Sequence, residues 1–426
     1  MLADTFPRWW RDGPTLRRVV QDLLAGELAA MRPGRARLAP PWPDDADLVA
    51  DLGADSLELS GLAAAMETML QLRPGADEAL LAHTRLADWL ALAAAGLERD
   101  AGAVTFRSSG SSGTPKAIRH EAVLLWQEAR HLATLFPATA RIVTLVPSHH
   151  IYGFLFSVLL PHALGIGPGQ VADLRALSPA ALAQGLAPGD LVLGFPDAWR
   201  AFGAAGMRLP PGVSGVSSTA PCPPETAHAA LACGLERLVQ VYGSSETAGV
   251  GWRETPEGEY FLFPYWARTA DDAVLERRAP DGRRLCFPLQ DRLAWADSVA
   301  SEAADLAPAG ALGQGLFRPA GRIDHAVQVG GMNVFPAYVA DVLRLHPQVL
   351  EASVRLMRQD EGHRLKAFVV PRDGASADTG RLRAELHAWM GERLTAPECP
   401  AAYSFGPALP RQASGKLTDW IIDAWA

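Results

Sequence analysis

Apolar positions change their period along this chain. Up to about residue 99 they recur at helical spacing. In TLRRVVQDLLAGELAAM they set Leu16, Val20, Leu23 and Leu28 on one stripe. PPWPDDAD interrupts this with prolines and aspartates, and DLVADLGADSLELSGLAAAMETML resumes it through Leu59, Leu62, Met66 and Met69. A last helix, TRLADWLALAAAGL, follows a candidate cap at Thr84. The spacing predicts a small helical bundle with a long first loop over residues 1–99.

Beyond residue 100 the pattern shortens. RIVTLVP, DLVLGFP, SGVSS and RLVQVYG are brief apolar runs that end in loops and alternate with helix-like segments. That alternation predicts an α/β domain of parallel strands whose ends bear the site. After residue 323, ASVRLMRQ and RLKAFVVPR read as strands and RLRAELHAWMGERL as a helix, a compact α+β unit. The expected domains are 1–99, 100–322 and 323–426.

Composition narrows the function classes. Of 426 residues 49% are hydrophobic and 20% charged, enough apolar matter for two or three cores. A formal charge of -8 argues against a general nucleic-acid binder. Four scattered cysteines, without CxxC spacing, read as reduced thiols rather than a disulfide frame or a zinc site. The N-terminus lacks a signal-peptide pattern and no apolar run reaches membrane-spanning length, so a cytoplasmic protein is expected.

The stretch FRSSGSSGTPKAIRH, 106–120, has the composition of a tether but ends in a proline-fixed lysine before a helix-like segment. Backbone N–H groups and a cation suit an oxyanion. The stretch resembles the phosphate loop of adenylate-forming enzymes, the superfamily of acyl-CoA synthetases, peptide-synthetase adenylation domains and luciferases. The resemblance implies that Ser108, Ser109, Gly110, Ser111, Ser112, Gly113, Thr114 and Lys116 wrap the triphosphate of ATP.

Further segments match that family in order. VPSHHIYGF resembles the lining of the acyl pocket in aryl-acid ligases, implying His150, Ile151, Tyr152, Gly153 and Phe154, with His150 in a catalytic role. SSTAPCPPE resembles the turn beside adenine and adds Ser218, although serine and threonine replace the usual glycine. QVYGSSETAG implies Tyr242 against adenine, Gly243 and Ser245 in the nucleotide site, and Glu246 on Mg2+, a hard cation that takes carboxylate oxygen. Gly321-Arg322-Ile323-Asp324 resembles the hinge motif, with Arg322 near the nucleotide and Asp324 as pivot. Asp305 is the expected ribose ligand and Asp297 the second choice. Gly330, Gly331 and Met332 would form the loop of the thiol step, and Lys416 in ASGK would stabilise charge during adenylation.

LGADSLE, 52–58, resembles the prosthetic-group site of acyl carrier proteins, implying a 4'-phosphopantetheine arm on Ser56. The expected chain is thus a four-helix carrier-like bundle fused to an adenylate-forming core that lacks the family's long segment before its phosphate loop. An exposed face left by that shortening would favour a homodimer. The implied activity is adenylation of a small carboxylic acid, a hydroxylated aryl acid first, and its transfer to the arm on Ser56. The implied partners are a phosphopantetheinyl transferase and a downstream acyl-accepting synthase or ketosynthase. Three readings compete: a CoA ligase whose helices only dock partners, a free-standing loader of other carriers, and a non-catalytic scaffold.

Overall fold

The computed structural model describes residues 6–32, 39–108, 116–296, 315–323, 326–358, 360–372, 378–411 and 417–422. Two compact units divide them, one formed by residues 6–28, 39–108 and 117–321, the other built on residues 322–422. No helix of the described residues is long and apolar enough to cross a membrane.

The first unit opens with four helices: α1 (Gly13–Met31), α2 (Ser56–Leu70), α3 (Ala76–Leu81) and α4 (Leu86–Arg99). The stripe on α1 is buried at Leu16, Val20, Leu23 and Leu28. Asp55 caps α2 reciprocally: its side chain accepts from the Glu58 N–H at 2.8 Å, and the Glu58 carboxylate accepts from the Asp55 N–H at 3.1 Å. These helices do not stand apart as a carrier bundle over residues 1–99. Trp9, fully buried ahead of α1, meets Phe154 edge-on at 5.3 Å, and Gln71, after α2, donates to Thr105 at 2.9 Å. Their apolar faces are buried within one unit with the sheet.

β1 (Ala103–Ser108) and β2 (Lys116–Glu121) form a two-stranded sheet, followed by α5 (Ala122–Leu135). The parallel half then runs through β3 (Arg141–Thr144), α6 (Ile151–Phe154), a π-helical turn (Leu155–Leu159), α7 (Leu160–Leu164) and β4 (Val171–Asp173). It continues through α8 (Pro179–Gln184), β5 (Asp190–Gly194), α9 (Pro196–Ala204), β6 (Ser214–Ser217), α10 (Pro224–Ala232) and β7 (Arg237–Ser244). Every residue of β5 is buried, as expected of a central parallel strand covered on both faces. Gly194 and Gly215 lie so close to the Trp199 ring that a Cβ would approach it within 3 Å.

From β7 the chain reverses. β8 (Ala248–Arg253) and β9 (Tyr260–Leu262) pair antiparallel, because a three-residue turn after β7 leaves no room for a crossover. β10 (Trp266–Arg268), β11 (Val274–Arg278) and β12 (Arg284–Pro288) form a separate three-stranded sheet, and β13 (Asp291–Trp295) and β14 (Leu316–Arg322) rejoin the main one. The nine strands stand in the order β13-β14-β9-β8-β7-β6-β5-β3-β4.

The second unit carries the hairpin β15 (Val327–Val329) and β16 (Met332–Val334), α11 (Pro336–Arg344), β17 (Val349–Leu356), β18 (Leu365–Pro371), α12 (Thr379–Gly391) and β19 (Ala402–Phe405). β17, β18 and β19 make one sheet, and Val339, Leu343, Leu382 and Leu386 bury the helices against it.

Candidate active site

The turn Ser245–Thr247 between β7 and β8 carries Glu246. Ser244 Oγ accepts from the N–H groups of Glu246 (3.2 Å) and Thr247 (3.1 Å), and Thr247 Oγ1 accepts from the Ser244 N–H at 3.2 Å. Two buried side chains hold this turn from outside it. His120 on β2 places Nε2 2.7 Å from the Ser245 carbonyl, and Glu128 on α5 accepts from the Gly249 N–H at 2.8 Å. A Cβ on Gly249 would stand 2.4 Å from that carboxylate, so only glycine permits the contact.

Burial pushes the His120 imidazole down to about 4 and the Glu128 carboxyl up to about 7, the latter against the pull of the fully buried Arg277 guanidinium. The Glu246 carboxylate is half-buried and has no partner among the described residues. Those residues contain no cluster of three or more acidic, histidine or cysteine side chains able to hold a metal alone. A free carboxylate in a rigid turn fits an Mg2+ whose remaining ligands come from phosphate and water.

Tyr242, near the end of β7, is half-buried and packs against the stacked pair Tyr260 and Phe317, with ring centroids 5.7 and 5.4 Å away. Its hydroxyl donates to Asp291 at 2.7 Å. The sequence pointed to Asp305 or Asp297 as the carboxylate beside the nucleotide; both lie outside the described residues. Among the described residues Asp291 is the carboxylate beside Tyr242, and counting back from Gly321 favours nearer aspartates. The available signal is its position two residues after the apolar run LCFPL.

Ser218, after β6, donates to the Val241 carbonyl at 2.9 Å and so ties the SSTAP turn to β7. Thr219 beside it takes φ 77, a left-handed conformation uncommon for a β-branched residue. Here the turn lacking the expected glycine keeps a glycine-like backbone.

His150 caps α6. Its neighbours divide in role. Tyr152 is buried and its hydroxyl donates between the carbonyls of Gly194 (3.0 Å) and Val216 (3.3 Å); burial raises it well above the usual phenol range. Gly153 abuts the Pro147 carbonyl, where a Cβ would come within 2.0 Å. Phe154 is fully buried between Trp9 and Phe106 and belongs to the core rather than to an open pocket wall. Ile151 remains half-buried.

Ser108 ends β1 and Lys116, exposed, opens β2; Ser109, Gly110, Ser111, Ser112, Gly113 and Thr114 lie outside the described residues. In the second unit Arg322 ends β14, and Gly330 and Gly331 turn the β15–β16 hairpin at φ 58 and 78, beside a partly exposed Met332. Asp324 and Lys416 lie outside the described residues, although Arg411 and Leu417 pair in an isolated bridge on either side of the lysine segment. Ser56 is exposed as the first residue of α2, and Leu57 beside it is 80% exposed.

Comparison with known proteins identifies the family. The AMP-binding enzyme model matches residues 50–264 and the AMP-binding enzyme C-terminal domain matches residues 338–416. The first match begins ahead of α2. A 4-coumarate–CoA ligase of Halorhodospira halophila is 37% identical over 94% of this chain and 97% of its own length. One of Rhodobacter capsulatus is 38% identical over 95% of this chain and 100% of its own. In fold, an amide bond synthetase of Marinactinospora thermotolerans superposes with a TM-score of 0.57 at 19% identity, covering 95% of this chain and 93% of that one. The o-succinylbenzoate CoA synthetase of Bacillus subtilis gives 0.55 at 19% identity, over 74% and 67%. The chain belongs to the AMP-binding enzyme family of adenylate-forming ligases.

Proposed function

We propose that this chain is an ATP-dependent acid–CoA ligase acting on a hydroxylated aryl acid of the 4-coumarate class. The observation that carries the reading is the Tyr242–Asp291 hydrogen bond on the strand leading into the Glu246 turn. An aromatic face for the base, a carboxylate one hydroxyl away for the ribose, and a free carboxylate for Mg2+ then follow one another along the sheet. Asp291 takes the ribose role in place of Asp305 or Asp297. The two relatives of matching length, both named 4-coumarate–CoA ligases, support the acid class and the acceptor.

In the first half-reaction an oxygen of the acid carboxylate attacks the α-phosphorus of ATP, and the bond to pyrophosphate breaks. Mg2+, when bound, neutralises phosphate charge in this step. Glu246 is the chain's ligand for it, Lys116 and the 108–114 segment bind the phosphates, and Lys416 offsets charge developing between carboxylate and α-phosphate. His150 stands on the acid side. In the second half-reaction the CoA thiolate attacks the acyl carbon and AMP leaves, giving the thioester. Arg322 and Asp324 serve as the hinge that exchanges Lys416 for the Gly330–Gly331 loop between steps. A cytoplasmic setting supplies ATP, CoA and Mg2+.

A second reading rests on Ser56. Its exposure at a capped helix start, next to an exposed Leu57, is what a transferase would need to attach 4'-phosphopantetheine there. The thioester would then form on the chain itself, for a downstream synthase or ketosynthase. The packing of α1 and Trp9 on the α/β half weighs for CoA as the acceptor, since a carrier must travel between sites.

The test supplies ATP, Mg2+, CoA and a panel of hydroxycinnamic, benzoic and aliphatic acids, and reads pyrophosphate and thioester. Pyrophosphate and soluble thioester with hydroxycinnamic acids are expected. No pyrophosphate with any acid overturns the reading. Intact mass after incubation with a phosphopantetheinyl transferase decides on Ser56: an added arm that then gains an acyl group, absent in Ser56→Ala, favours the carrier.

A further inference from the structure

Three segments converge on one buried carboxylate. Asp22 on α1 is 2% exposed, and its Oδ2 accepts from both the N–H and the hydroxyl of Ser148 at 2.7 Å. Its Oδ1 accepts from Arg175, whose guanidinium Nε also binds both oxygens of Asp173 at 2.9 and 3.0 Å, the last residue of β4. Asp22 therefore fixes α1 to the loop that follows β3 and to the loop that follows β4. A neighbouring tie runs from Arg18 to the Ser157 carbonyl at 2.7 Å, in the π-helical turn after Phe154.

One turn further along α1 lies Gly26. Glycine inside a long helix costs about 1 kcal/mol against alanine, so its presence calls for a local reason. The reason here is space: a Cβ on Gly26 would stand 2.8 Å from His149 Nε2 and 3.1 Å from its Cε1. The ring centroid of His149 lies 4.1 Å from that of His150, so a displaced His149 would disturb the pair. Its Nδ1 is buried and without a partner among the described residues.

We propose that α1 forms part of the acid-binding side of the site, with Asp22 and Gly26 as positioning residues for the Ser148–His149–His150 segment. Asp22 sets the backbone of that segment through Ser148, and Gly26 sets how closely the imidazole pair approaches the helix. The helix thereby supplies a wall on the side where the segment before β1 is short. The inference rests on the ligase reading, in which His150 stands beside the acid.

The experiment compares Gly26→Ala and Asp22→Asn with the unaltered chain in pyrophosphate release, titrating acid and ATP separately and recording the melting temperature. A misplaced positioning segment can cost on the order of a hundredfold. The KM for the acid is expected to rise on the order of ten- to hundredfold, with the KM for ATP unchanged within about twofold. The double variant Gly26→Ala/His149→Ala is expected to recover much of the loss, because the imidazole that met the new methyl is gone. Equal rises in both KM values, or folded variants with an unchanged acid KM, overturn the proposal. Should Asp22→Asn fail to fold, Ser148→Ala removes one of the same hydrogen bonds from the other side and is read the same way. Failure of the unaltered chain to release pyrophosphate with any acid would sink the ligase reading instead.

Discussion

The Tyr242 hydroxyl donates to the Asp291 carboxylate at 2.7 Å, joining two positions 49 residues apart. Phe317 and Tyr260 pack the tyrosine ring from the other side. The carboxylate is thus oriented before any nucleotide arrives, which spares ordering cost on binding. Asp291→Ala is expected to raise the KM for ATP on the order of ten- to hundredfold, the range for losing hydrogen bonds to a charged group. Tyr242→Phe, which keeps the ring and removes the orienting hydroxyl, should cost less. Steady-state pyrophosphate release with ATP varied at saturating acid checks both, and an Asp291→Ala variant with unaltered ATP dependence would return the ribose role to another aspartate.

Glu246 sits in a turn where its own N–H and that of Thr247 are taken by Ser244, and its carboxylate has no partner among the described residues. Glu246→Gln keeps the shape and removes the charge. The maximal rate is expected to fall at least about tenfold, with more Mg2+ needed to reach half of it, because metal neutralisation of phosphate is worth several kcal/mol. Removing Mg2+ with a chelator should abolish pyrophosphate release in both proteins. A variant whose Mg2+ titration overlays the unaltered one would remove Glu246 from the metal site.

The helical stripes of α1 and the apolar runs of β3, β5, β6 and β7 were legible because burial on one face, or on both, writes a period into the sequence. Leu16, Val20, Leu23 and Leu28 are buried as that period requires. What periodicity does not encode is the partner of a buried face, so α1 read as part of a separate bundle although Asp22, Arg18 and Trp9 bind it to the α/β half. The site divides the same way. Tyr242 and Glu246 stand in one contiguous motif and can be proposed from it, whereas His120, Glu128 and Asp291 meet that motif from distant segments. A lone histidine in KAIRHE or a glutamate in LLWQEAR carries no local mark of the carbonyl or N–H it will meet.

Two buried groups behind the Glu246 turn give stability opposite slopes with pH. Burial lowers His120 to about 4, below its unfolded value near 6.5, so the unfolded chain binds the extra proton in between. Its contribution is present above pH 6.5 and is lost as pH falls towards 4. Glu128 is raised to about 7 from an unfolded value near 4.3; its contribution is present below that value and is lost as pH rises through 7. Each slope is at most about 1.4 kcal/mol per pH unit. His120→Gln removes the first and leaves the second, so chemical denaturation between pH 5 and 6.5 should show stability declining as pH rises more steeply than in the unaltered chain. Parallel profiles for the two proteins would mean that His120 is not held neutral by burial.

Lys366 on β18 is fully buried, yet its ammonium is well supplied: Glu361 at 2.7 Å, Asp419 at 2.8 Å and the Trp420 carbonyl at 2.8 Å. The Trp420 ring lies over it at 5.2 Å. Arg358 adds a second cation, 2.7 Å from both Glu361 and Asp419. These contacts fix the chain just beyond Leu417 to the sheet of the second unit. Removing one partner of a buried ion pair leaves the other uncompensated, at a cost of about 3–5 kcal/mol. Lys366→Met should fall near the lower end of that range, since Arg358 still faces both carboxylates. Its effect is expected in the second unit, as earlier cleavage within residues 322–422 under limited proteolysis, read by mass spectrometry. Adding Glu361→Gln should restore part of the resistance by discharging the stranded carboxylate. A Lys366→Met protein as resistant as the unaltered chain would show that the buried charges contribute nothing net to this unit, and that Met packing compensates for the lost hydrogen bonds.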